Sequence, residues 1–422
     1  MLPLVNVGRK HLDEYATIVS HGLMDEVRRL AEPLAGLKVL HVSATAFGGG
    51  VAEINYTLVP LMADAGLEVE WRIIRGAEEF FEVTKAIHNG LQGDPRSLTE
   101  AEVETYRRYN AQNAADLDPD AYDIVIVHDP QPAALIESFP NRRAKWIWRG
   151  HIDFSTPNPD VFDALLPSIR KYDAAVFHRR EYVPNADLPL VAIWPPAIDP
   201  LMPKNMALAA EDASYIVDQF GIDVERPLIT QVSRFDPWKD PLGVIDAYRL
   251  VTKRFPEVQL ALVGSMAHDD PEGWEYYDRT VEHAAGDPDI YILSNLNNVG
   301  AVEVNAFQVT SAAVLQKSIR EGFGLTVTEA LWKVRPTVGG RVGGIVAQIV
   351  DGETGWLVDS GEQCADAVIE ILRDPEAARV RARIGKEHVR RHFLTPRLLR
   401  DWLVLFTMLT GGDTGGSEIV TA

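Results

Sequence analysis

Two glutamates stand eight residues apart in an apolar stretch of the sequence. Glu321 and Glu329 belong to "SIREGFGLTVTEAL", Ser318 to Leu331, and two glycines, Gly322 and Gly324, lie between them. Burying a charge without a partner is costly, so a carboxylate among apolar residues is expected to bind a ligand or a protein group. The pattern fits a ligand-binding pair, and it equally fits two buried carboxylates that accept hydrogen bonds from local N–H groups.

A helix is predicted to begin near Leu325, directly after this glycine pair. The backbone N–H groups of Phe323, Gly324 and Leu325 then lie at a helix N-terminus, where they can meet a phosphate or sugar oxygen. Glu329 lies about one turn inside this helix, within reach of a ribose hydroxyl pair. Glu321 lies in the loop before it and is expected to face the ligand.

Two cations follow the first predicted strand of the second half of the chain. The segment "SRFDPWKD" places Arg234 and Lys239 five residues apart in a loop. Two cations beyond a strand end can clamp a diphosphate, because arginine offers a planar fork and lysine a point charge. The alternative is a solvated turn in which both cations pair with Asp236 and Asp240.

The first half of the chain carries a glycine-rich turn and a histidine after predicted strands. In "HVSATAFGGGVAEI", three consecutive glycines, Gly48 to Gly50, precede a helical pattern. Glycine lets backbone approach a ligand closely, although a tight turn explains the same residues. In "WIWRGHID", a predicted strand is followed by Arg149, His151 and Asp153, and His151 fits a structural role as well as a functional one.

The elements that position these residues alternate between strands and helices. Helical periodicity is found at Val51–Ala65, Leu242–Phe255 and Leu398–Leu409. Short apolar runs predict strands at Lys38–Ser43, Asp123–His128, Trp146–Trp148, Ala174–His178, Leu228–Ser233, Gln259–Gly264, Ile290–Leu293, Val314–Gln316, Pro336–Val338 and Gly355–Val358. Buried parallel strands covered by helices indicate an α/β, doubly wound fold, in which ligands bind beyond the carboxyl ends of the strands.

A proline-rich stretch divides the chain. The stretch Trp194–Asn205 predicts a linker with a boundary near Asp199, since 422 residues are too many for one typical domain. The predicted domains are 1–198 and 199–395. We expect a final helix, 396–412, to pack back on the first domain, and a disordered tail at 413–422.

The composition limits the classes of function. A formal charge of −20 argues against nonspecific nucleic-acid binding, which requires basic surface. No apolar run approaches the roughly 18 residues of a membrane helix, and the N-terminus lacks a signal-peptide pattern. A single cysteine, Cys364, excludes an internal disulfide. We therefore expect a cytoplasmic enzyme with no nucleic-acid or membrane partner.

Together these motifs resemble retaining glycosyltransferases of the GT-B fold. The pair Glu321 and Glu329 matches their Glu-x7-Glu signature, and the triple glycine, His151, the two cations and Gly343–Gly344 occur in the same order. The segments "HVSATAFGGGVAEI", "FFEVTKAIHNGLQG" and "RFDPWKDPLGVIDAYR" further resemble the trehalose glycosyltransferring synthase family, to which retaining trehalose phosphorylases are related. Gly150 departs from this pattern, since the resemblance predicts a cysteine there.

The resemblance implies two Rossmann-like domains facing a cleft, with a donor-binding C-terminal domain. It implies transfer of glucose from a nucleoside-diphosphate glucose to free glucose, which forms α,α-trehalose. Glu329 would hold the donor ribose and Glu321 the donor glucose. Arg234 and Lys239 would neutralise the diphosphate in place of a metal, so that no metal and no cofactor is required. His151 would contact the donor sugar.

The same resemblance assigns the remaining site residues. Phe323, Gly324 and Leu325, together with Gly49 and Gly50, would bind the donor through backbone groups. Asp153 would bind the acceptor. We expect a homodimer that acts on small molecules. Three other functions stay open: a phosphorylase that uses inorganic phosphate, a transferase with another sugar acceptor, and a nucleotide-sugar-binding protein without turnover.

Overall fold

The chain forms two compact units. The structure, a computed structural model, describes residues 1–188, 190–266, 271–416 and 419–421. Unit 1 comprises Met1–Ala197 together with Thr395–Ala422, and unit 2 comprises Ile198–Leu394. The chain therefore passes between the units twice, once inside the proline-rich stretch and once just before the final helix.

Both units are built from parallel strands and helices. The strands are β1 Lys38–Ser43, β2 Glu68–Ile73, β3 Ile124–His128, β4 Lys145–Arg149, β5 Ala174–Phe177, β6 Leu190–Ile193, β7 Leu228–Val232, β8 Gln259–Val263, β9 Ile290–Leu293, β10 Ala313–Gln316, β11 Thr337–Gly340, β12 Trp356–Val358 and β13 Val420–Thr421. The α-helices are α1 His21–Ala31, α2 Gly50–Asp64, α3 Glu78–Leu91, α4 Glu100–Ala115, α5 Pro159–Ile169, α6 Ala210–Asp218, α7 Pro241–Thr252, α8 Pro271–Ala284, α9 Ala301–Thr310, α10 Leu325–Trp332, α11 Ile345–Gln348, α12 Gly361–Arg373, α13 Pro375–His392 and α14 Thr395–Thr410.

Unit 1 contains a seven-stranded sheet in the order β13-β6-β5-β4-β3-β1-β2. Its strands are parallel except β13, which runs antiparallel to β6. Every residue of β3 and β5 is buried, because helices cover both faces of the sheet. Helix α14 belongs to this unit, where Trp402 packs against Trp194 with ring centroids 5.2 Å apart.

Unit 2 contains a six-stranded, fully parallel sheet in the order β12-β11-β10-β7-β8-β9. Its central strands β7, β8 and β10 are completely buried. The strand order places β7 beside β10, so the loops that follow these two strands leave the sheet at the same edge. Those loops carry the two predicted cations and the first predicted glutamate.

The predicted α/β, doubly wound fold is confirmed in each unit. Three strands were not predicted. Strand β2 mixes charged and apolar residues at the sheet edge, with Trp71 alone buried in it. Strand β6 is only four residues long. In the tail, where the sequence predicts disorder, Val420 pairs with Ile193 of β6, whereas Ser417, Glu418 and Ala422 lie outside the described residues. Within the described part of the chain, no helix is both long and apolar enough to span a bilayer.

Candidate active site

An ion pair between Lys239 and Glu321 occupies the carboxyl edge of the sheet in unit 2. Lys239 Nζ lies 2.5 Å from Glu321 Oε2, and the two side chains are only 15% and 9% exposed. The same carboxylate oxygen accepts hydrogen bonds from Ser318 Oγ at 3.1 Å and from Gln316 Nε2 at 3.4 Å. A lysine and a carboxylate are therefore held together where an α/β sheet binds its ligands.

Two glycine-rich loops pack backbone against backbone to hold Glu321 in place. The N–H of Gly344 donates to the carbonyl of Glu321 at 3.2 Å. A Cβ atom on Gly344 would lie 2.5 Å from the carbonyl oxygen of Gly322, and one on Gly340 would lie 2.2 Å from that of Ser318. Any larger residue at either position would push the two loops apart, because backbone atoms cannot yield as a flexible side chain does.

Gln348 fastens the loop that leads from Glu321 into α10. Its amide nitrogen donates to the carbonyl oxygens of Phe323 and Gly344, the second at 3.2 Å, and its oxygen accepts from Thr328. Phe323 is buried, and its ring packs 5.7 Å from that of Phe393. These contacts fix the backbone at the start of α10, where Gly324 adopts a left-handed conformation with φ of +81°.

Arg234 and Lys239 lie in one loop but have different environments. Arg234 is 62% exposed, and its Nη2 contacts Asp236 at 3.1 Å, as the charged-turn alternative predicts. The other oxygen of Asp236 accepts from the backbone N–H of Lys239 at 3.0 Å and caps a short 3-10 helix, Pro237–Lys239. The Lys239 side chain is therefore free to extend toward Glu321, and Asp240 pairs with Lys317 instead.

Glu329 is fully buried on α10. Its Oε1 lies 2.9 Å from Lys204 Nζ, and its Oε2 accepts from Gln308 Nε2 at 3.2 Å. Gln308 also accepts from Lys333 Nζ at 2.7 Å. Burial lowers the pKa of Lys333 to about 7, although the nearby Glu329 raises it. The carboxylate thus contacts a lysine and a glutamine side chain rather than local N–H groups, and its role toward a ribose stays a prediction.

In unit 1, His151 is joined to a second histidine and to a buried carboxylate. Its Nε2 lies 2.9 Å from His128 Nδ1, and its backbone N–H donates to Asp129 Oδ1 at 2.7 Å. Burial, reinforced by the charge of Arg149, holds the pKa of His151 well below its usual range. Burial also raises the pKa of Asp129 to about 7. His151 is therefore a neutral imidazole at the carboxyl edge of β4.

The remaining predicted residues of unit 1 lie in loops, except Gly50, which is the first residue of α2. Asp153 is 5% exposed, and its Oδ1 accepts from the backbone N–H of Ser155 at 2.8 Å. Gly48 and Gly49 adopt φ of +70° and +82°, and a Cβ atom on either would meet nothing within 4 Å. Glycine is thus required there by backbone conformation and not by space. The acceptor role of Asp153 and the ligand role of Gly49 and Gly50 stay predictions.

Gly150 has a structural explanation for its departure from the expected cysteine. A Cβ atom at this position would lie 2.7 Å from the ring of Phe154 and 3.1 Å from that of Trp148. These two rings pack edge to face, with centroids 5.5 Å apart. The aromatic cluster therefore occupies the space that a cysteine side chain would need.

Several site residues escaped the sequence analysis. Gln231 is buried in β7, where its amide donates to the carbonyl of Lys239 at 2.9 Å and its oxygen accepts from the N–H of Lys317 at 3.0 Å. The signal for Gln231, Gln316 and His128 was present: each is a polar residue in a buried strand, which requires a partner. In the described part of the chain, no group of three or more His, Cys, Asp or Glu side chains is arranged to hold a metal ion.

Comparisons with known proteins agree with this architecture. Residues 41–184 match the family described as trehalose synthase, N-terminal domain, and residues 214–388 match glycosyl transferases group 1. A solved α,α-trehalose-phosphate synthase (UDP-forming) from Burkholderia vietnamiensis superposes with a TM-score of 0.69 at 17% identity, over 91% of this chain and 100% of that one. The matched families and the fold together define a glycosyltransferase of the GT-B class.

Sequence relatives narrow this class. A trehalose synthase of Rubrobacter xylanophilus is 59% identical over 417 residues, which cover 97% of this chain and 100% of that protein. A trehalose phosphorylase of Pleurotus pulmonarius is 29% identical over 457 residues, which cover 95% of this chain and 61% of that protein. The chain belongs to the trehalose synthase family, as the resemblance predicted.

Proposed function

We propose that this protein transfers glucose from a nucleoside-diphosphate glucose to free glucose and forms α,α-trehalose with retention of the anomeric configuration. The observation that carries this proposal is the pairing of Lys239 with Glu321 at the carboxyl edge of β7 and β10. The names of the trehalose synthase relatives support the product.

The pair supplies the two charges that such a reaction requires. The bond between the anomeric carbon and the diphosphate oxygen breaks, and its electrons leave with the nucleoside diphosphate. Lys239 and Arg234 stabilise the negative charge that grows on this leaving group. Glu321 binds hydroxyls of the glucose and stabilises the positive charge that develops on the ring.

The acceptor attacks from the face that the diphosphate leaves. Its hydroxyl oxygen forms the new bond to the anomeric carbon, and its proton passes to the departing phosphate oxygen. Neither a protein nucleophile nor a metal or cofactor is required, since positioning and electrostatics provide the catalysis. In this proposal Glu329 binds the ribose, His151 contacts the donor sugar and Asp153 contacts the acceptor. We further propose that the enzyme is a cytoplasmic homodimer.

A second candidate is reversible phosphorolysis of trehalose. Trehalose phosphorylases cover 95% of this chain at 29% identity. Such an enzyme would use inorganic phosphate in place of a nucleotide, and the same two cations would bind it. Glu329 would then have no ribose to hold, so affinity for a nucleoside diphosphate separates the two functions.

A product assay tests the proposal. The purified protein is incubated with isotopically labelled glucose and, in turn, with the diphosphate glucoses of adenine, uracil and guanine. We expect labelled α,α-trehalose and one nucleoside diphosphate released per trehalose. The Lys239→Met variant serves as the control, because it lacks the cation that faces the leaving group. Cleavage of trehalose that needs phosphate, with no turnover of any nucleotide sugar, would overturn the proposal in favour of the phosphorylase.

A further inference from the structure

Four neighbouring strands of unit 1 each deliver one histidine toward the same region. The sheet order β5-β4-β3-β1 makes these strands adjacent. The histidines are His41 in β1, His128 at the end of β3, His151 after β4 and His178 after β5. They are separated by long stretches of sequence, so only the sheet brings them together.

Three of these imidazoles form a continuous hydrogen-bonded chain. His41 Nδ1 lies 3.0 Å from His128 Nε2, and His128 Nδ1 lies 2.9 Å from His151 Nε2. The ring planes are nearly parallel, inclined by 17° and 25°, and the centroids are 5.2 Å apart at both steps, as expected for rings that meet edge to edge through their nitrogen atoms. His41 and His128 are buried, whereas His151 is partly exposed. The chain therefore begins in the core and ends at the one histidine of the three that a ligand can reach.

Burial keeps these rings neutral. The pKa of His41 is lowered to about 3, and the pKa values of His128 and His151 are held well below their usual range, with burial as the largest cause in each case. Two charged residues lie near these rings, Arg149 and Asp129. The guanidinium of Arg149 donates to the carbonyls of Phe177 and Trp194.

A neutral imidazole carries a single N–H, so only two arrangements satisfy both links. In the first, each Nε2–H donates inward, and the last N–H, on Nε2 of His41, is buried with no hydrogen-bond partner among the described residues. In the second, each Nδ1–H donates outward, and the only unmatched group is the lone pair on Nε2 of His41. Unpaired buried N–H groups are rarer than under-satisfied acceptors, which favours the second arrangement. The chain then ends on Nδ1–H of His151.

We propose that His41 and His128 are positioning residues that fix His151 in the form protonated on Nδ1, so that this N–H donates to an oxygen of the bound sugar. The role of His151 toward a sugar rests on the proposed function, whereas the proton arrangement of the three rings does not. Neither His41 nor His128 touches the substrate in this proposal; both act through His151.

Nitrogen-15 NMR of the imidazole rings tests the arrangement without substrate. The full-length protein is labelled on histidine and measured at about pH 6 and about pH 8, the range in which an ordinary histidine titrates. We expect His41, His128 and His151 to carry the proton on Nδ1 and to be unprotonated on Nε2 at both values. Protonation of His151 on Nε2, or titration of any of the three rings in this range, would overturn the proposal.

A matched pair of variants tests the link to catalysis. His41→Asn places an amide nitrogen near the position of Nδ1, so it can still donate to His128, whereas His41→Leu cannot. We expect His41→Leu to give a mixture of His151 tautomers and to lower kcat by about 10-fold, the scale on which removing the partner of an oriented histidine acts. His41→Asn should restore both the tautomer and most of kcat.

The outcomes separate this inference from the proposed function. If both variants lose the same activity and the His151 signals stay unchanged, the histidines serve packing alone and the inference is wrong. If no nucleoside-diphosphate glucose is turned over but the tautomers behave as stated, the proposed function fails and the positioning of His151 stands. If His41→Leu does not fold, the wild-type spectrum still decides the proton arrangement.

Discussion

At the scale of single residues, the two glutamates that stand eight apart have different partners. Glu321 lies at the sheet edge and contacts a lysine, a serine and a glutamine. Glu329 is completely buried and contacts Lys204 and Gln308. Under the proposed function, the first carboxylate would respond to charge that develops during the reaction, and the second would make an interaction that stays the same throughout.

The pair of Lys239 and Glu321 predicts that stability and activity can be separated. Lys239→Met removes the cation that pairs with the nearly buried carboxylate of Glu321. We expect this variant to lower the free energy of unfolding by about 3 kcal/mol. Adding Glu321→Gln should recover much of this stability, since no unpaired charge remains. The double variant should nevertheless keep a kcat at least about 10²-fold below wild type, as expected when electrostatic stabilisation is lost.

Urea unfolding and steady-state kinetics on the three variants check this prediction. Glu321→Gln alone should lose kcat to a similar extent, because the ring then develops its charge beside a neutral amide. Recovery of activity together with stability in the double variant would show that the pair matters only for folding.

Glu329→Gln is predicted to act on binding rather than on the chemical step. The amide keeps the shape of the side chain but loses the charge that faces Lys204. Ribose hydrogen bonds exist both before and during the reaction, so their loss should raise the donor KM with little change in kcat. The measurement is KM for the nucleotide sugar beside the unfolding midpoint. A lower midpoint with an unchanged KM would assign Glu329 to the packing of α10 instead.

At the scale of elements, two loops are held at a separation that only glycine permits. Gly340, at the end of β11, approaches the carbonyl of Ser318, and Gly344 approaches that of Gly322. Gln348 ties the same loops together through Phe323. The position of Glu321 is therefore set by backbone packing against the loop that follows β11.

Gly340→Ala is expected to impair both folding and turnover. The added methyl would lie 2.2 Å from a backbone oxygen, so the Ser318 loop must shift and carry Glu321 with it. Displacements of about 1 Å at a catalytic group cost on the order of 10²-fold in rate. The check is kcat beside thermal unfolding of the variant.

Gly22→Ala provides the control for that substitution. Gly22 lies in α1, its φ is not positive, and a Cβ atom there meets nothing within 4 Å. Because alanine favours a helix over glycine, this variant should be neutral or more stable by up to about 1 kcal/mol, with unchanged activity. Equal losses from Gly340→Ala and Gly22→Ala would contradict the packing argument.

At the scale of the whole molecule, the chain is strongly acidic, yet cations collect around one sheet edge. The formal charge is −20, while Arg234, Lys239 and Lys317 all follow β7 or β10. Each of the three is paired with a carboxylate, so these pairs are balanced before any ligand arrives. A diphosphate would compete with those carboxylates for the cations.

We expect catalysis without a divalent metal. In the proposed mechanism, Arg234 and Lys239 supply the positive charge that a divalent metal would otherwise provide. Activity measured in excess chelator should therefore equal the activity without it. Complete loss in the chelator, restored by one particular metal ion, would contradict this prediction.

The buried histidines predict a dependence of stability on pH. Burial lowers the pKa of His41 from 6.5 to about 3. Between these values the unfolded chain binds a proton that the folded protein does not. The free energy of unfolding is therefore unaffected by His41 above about pH 6.5, and it falls by up to about 1.4 kcal/mol per pH unit as the pH drops toward 3.

Comparison of the wild type with His41→Leu isolates this effect. When the pH is lowered from about 7.5 to about 5, the wild type should lose stability relative to His41→Leu. The unfolding midpoint of the variant should therefore rise relative to that of the wild type. Asp129, whose pKa burial raises to about 7, contributes a change of the opposite sign in both proteins and cancels in the comparison. A difference that stays constant across this range would contradict the neutral, buried state of His41.

The sequence by itself determined the class of fold and most of the strands. Continuous apolar runs such as "IVIV" before His128 are typical of buried parallel strands, because the residues on both faces of such a strand pack against helices. Strand β2 was missed, since an edge strand buries few of its residues, and β13 is too short to leave a pattern. The sequence also placed Glu321, Lys239 and His151 in loops after strands, where ligands bind.

Only the tertiary structure decided which of these residues meet. Lys239 and Glu321 are 82 positions apart, and His41 and His128 are 87 apart. Each pair forms because two distant strands are adjacent in a sheet, and adjacency depends on the strand order, which local periodicity does not encode. The partners of Glu329 were equally hidden, because Lys204 comes from the proline-rich stretch and Gln308 from α9. Residue types and local spacing predicted the kind of chemistry, whereas the pairing of side chains could be seen only once the strands were packed into sheets.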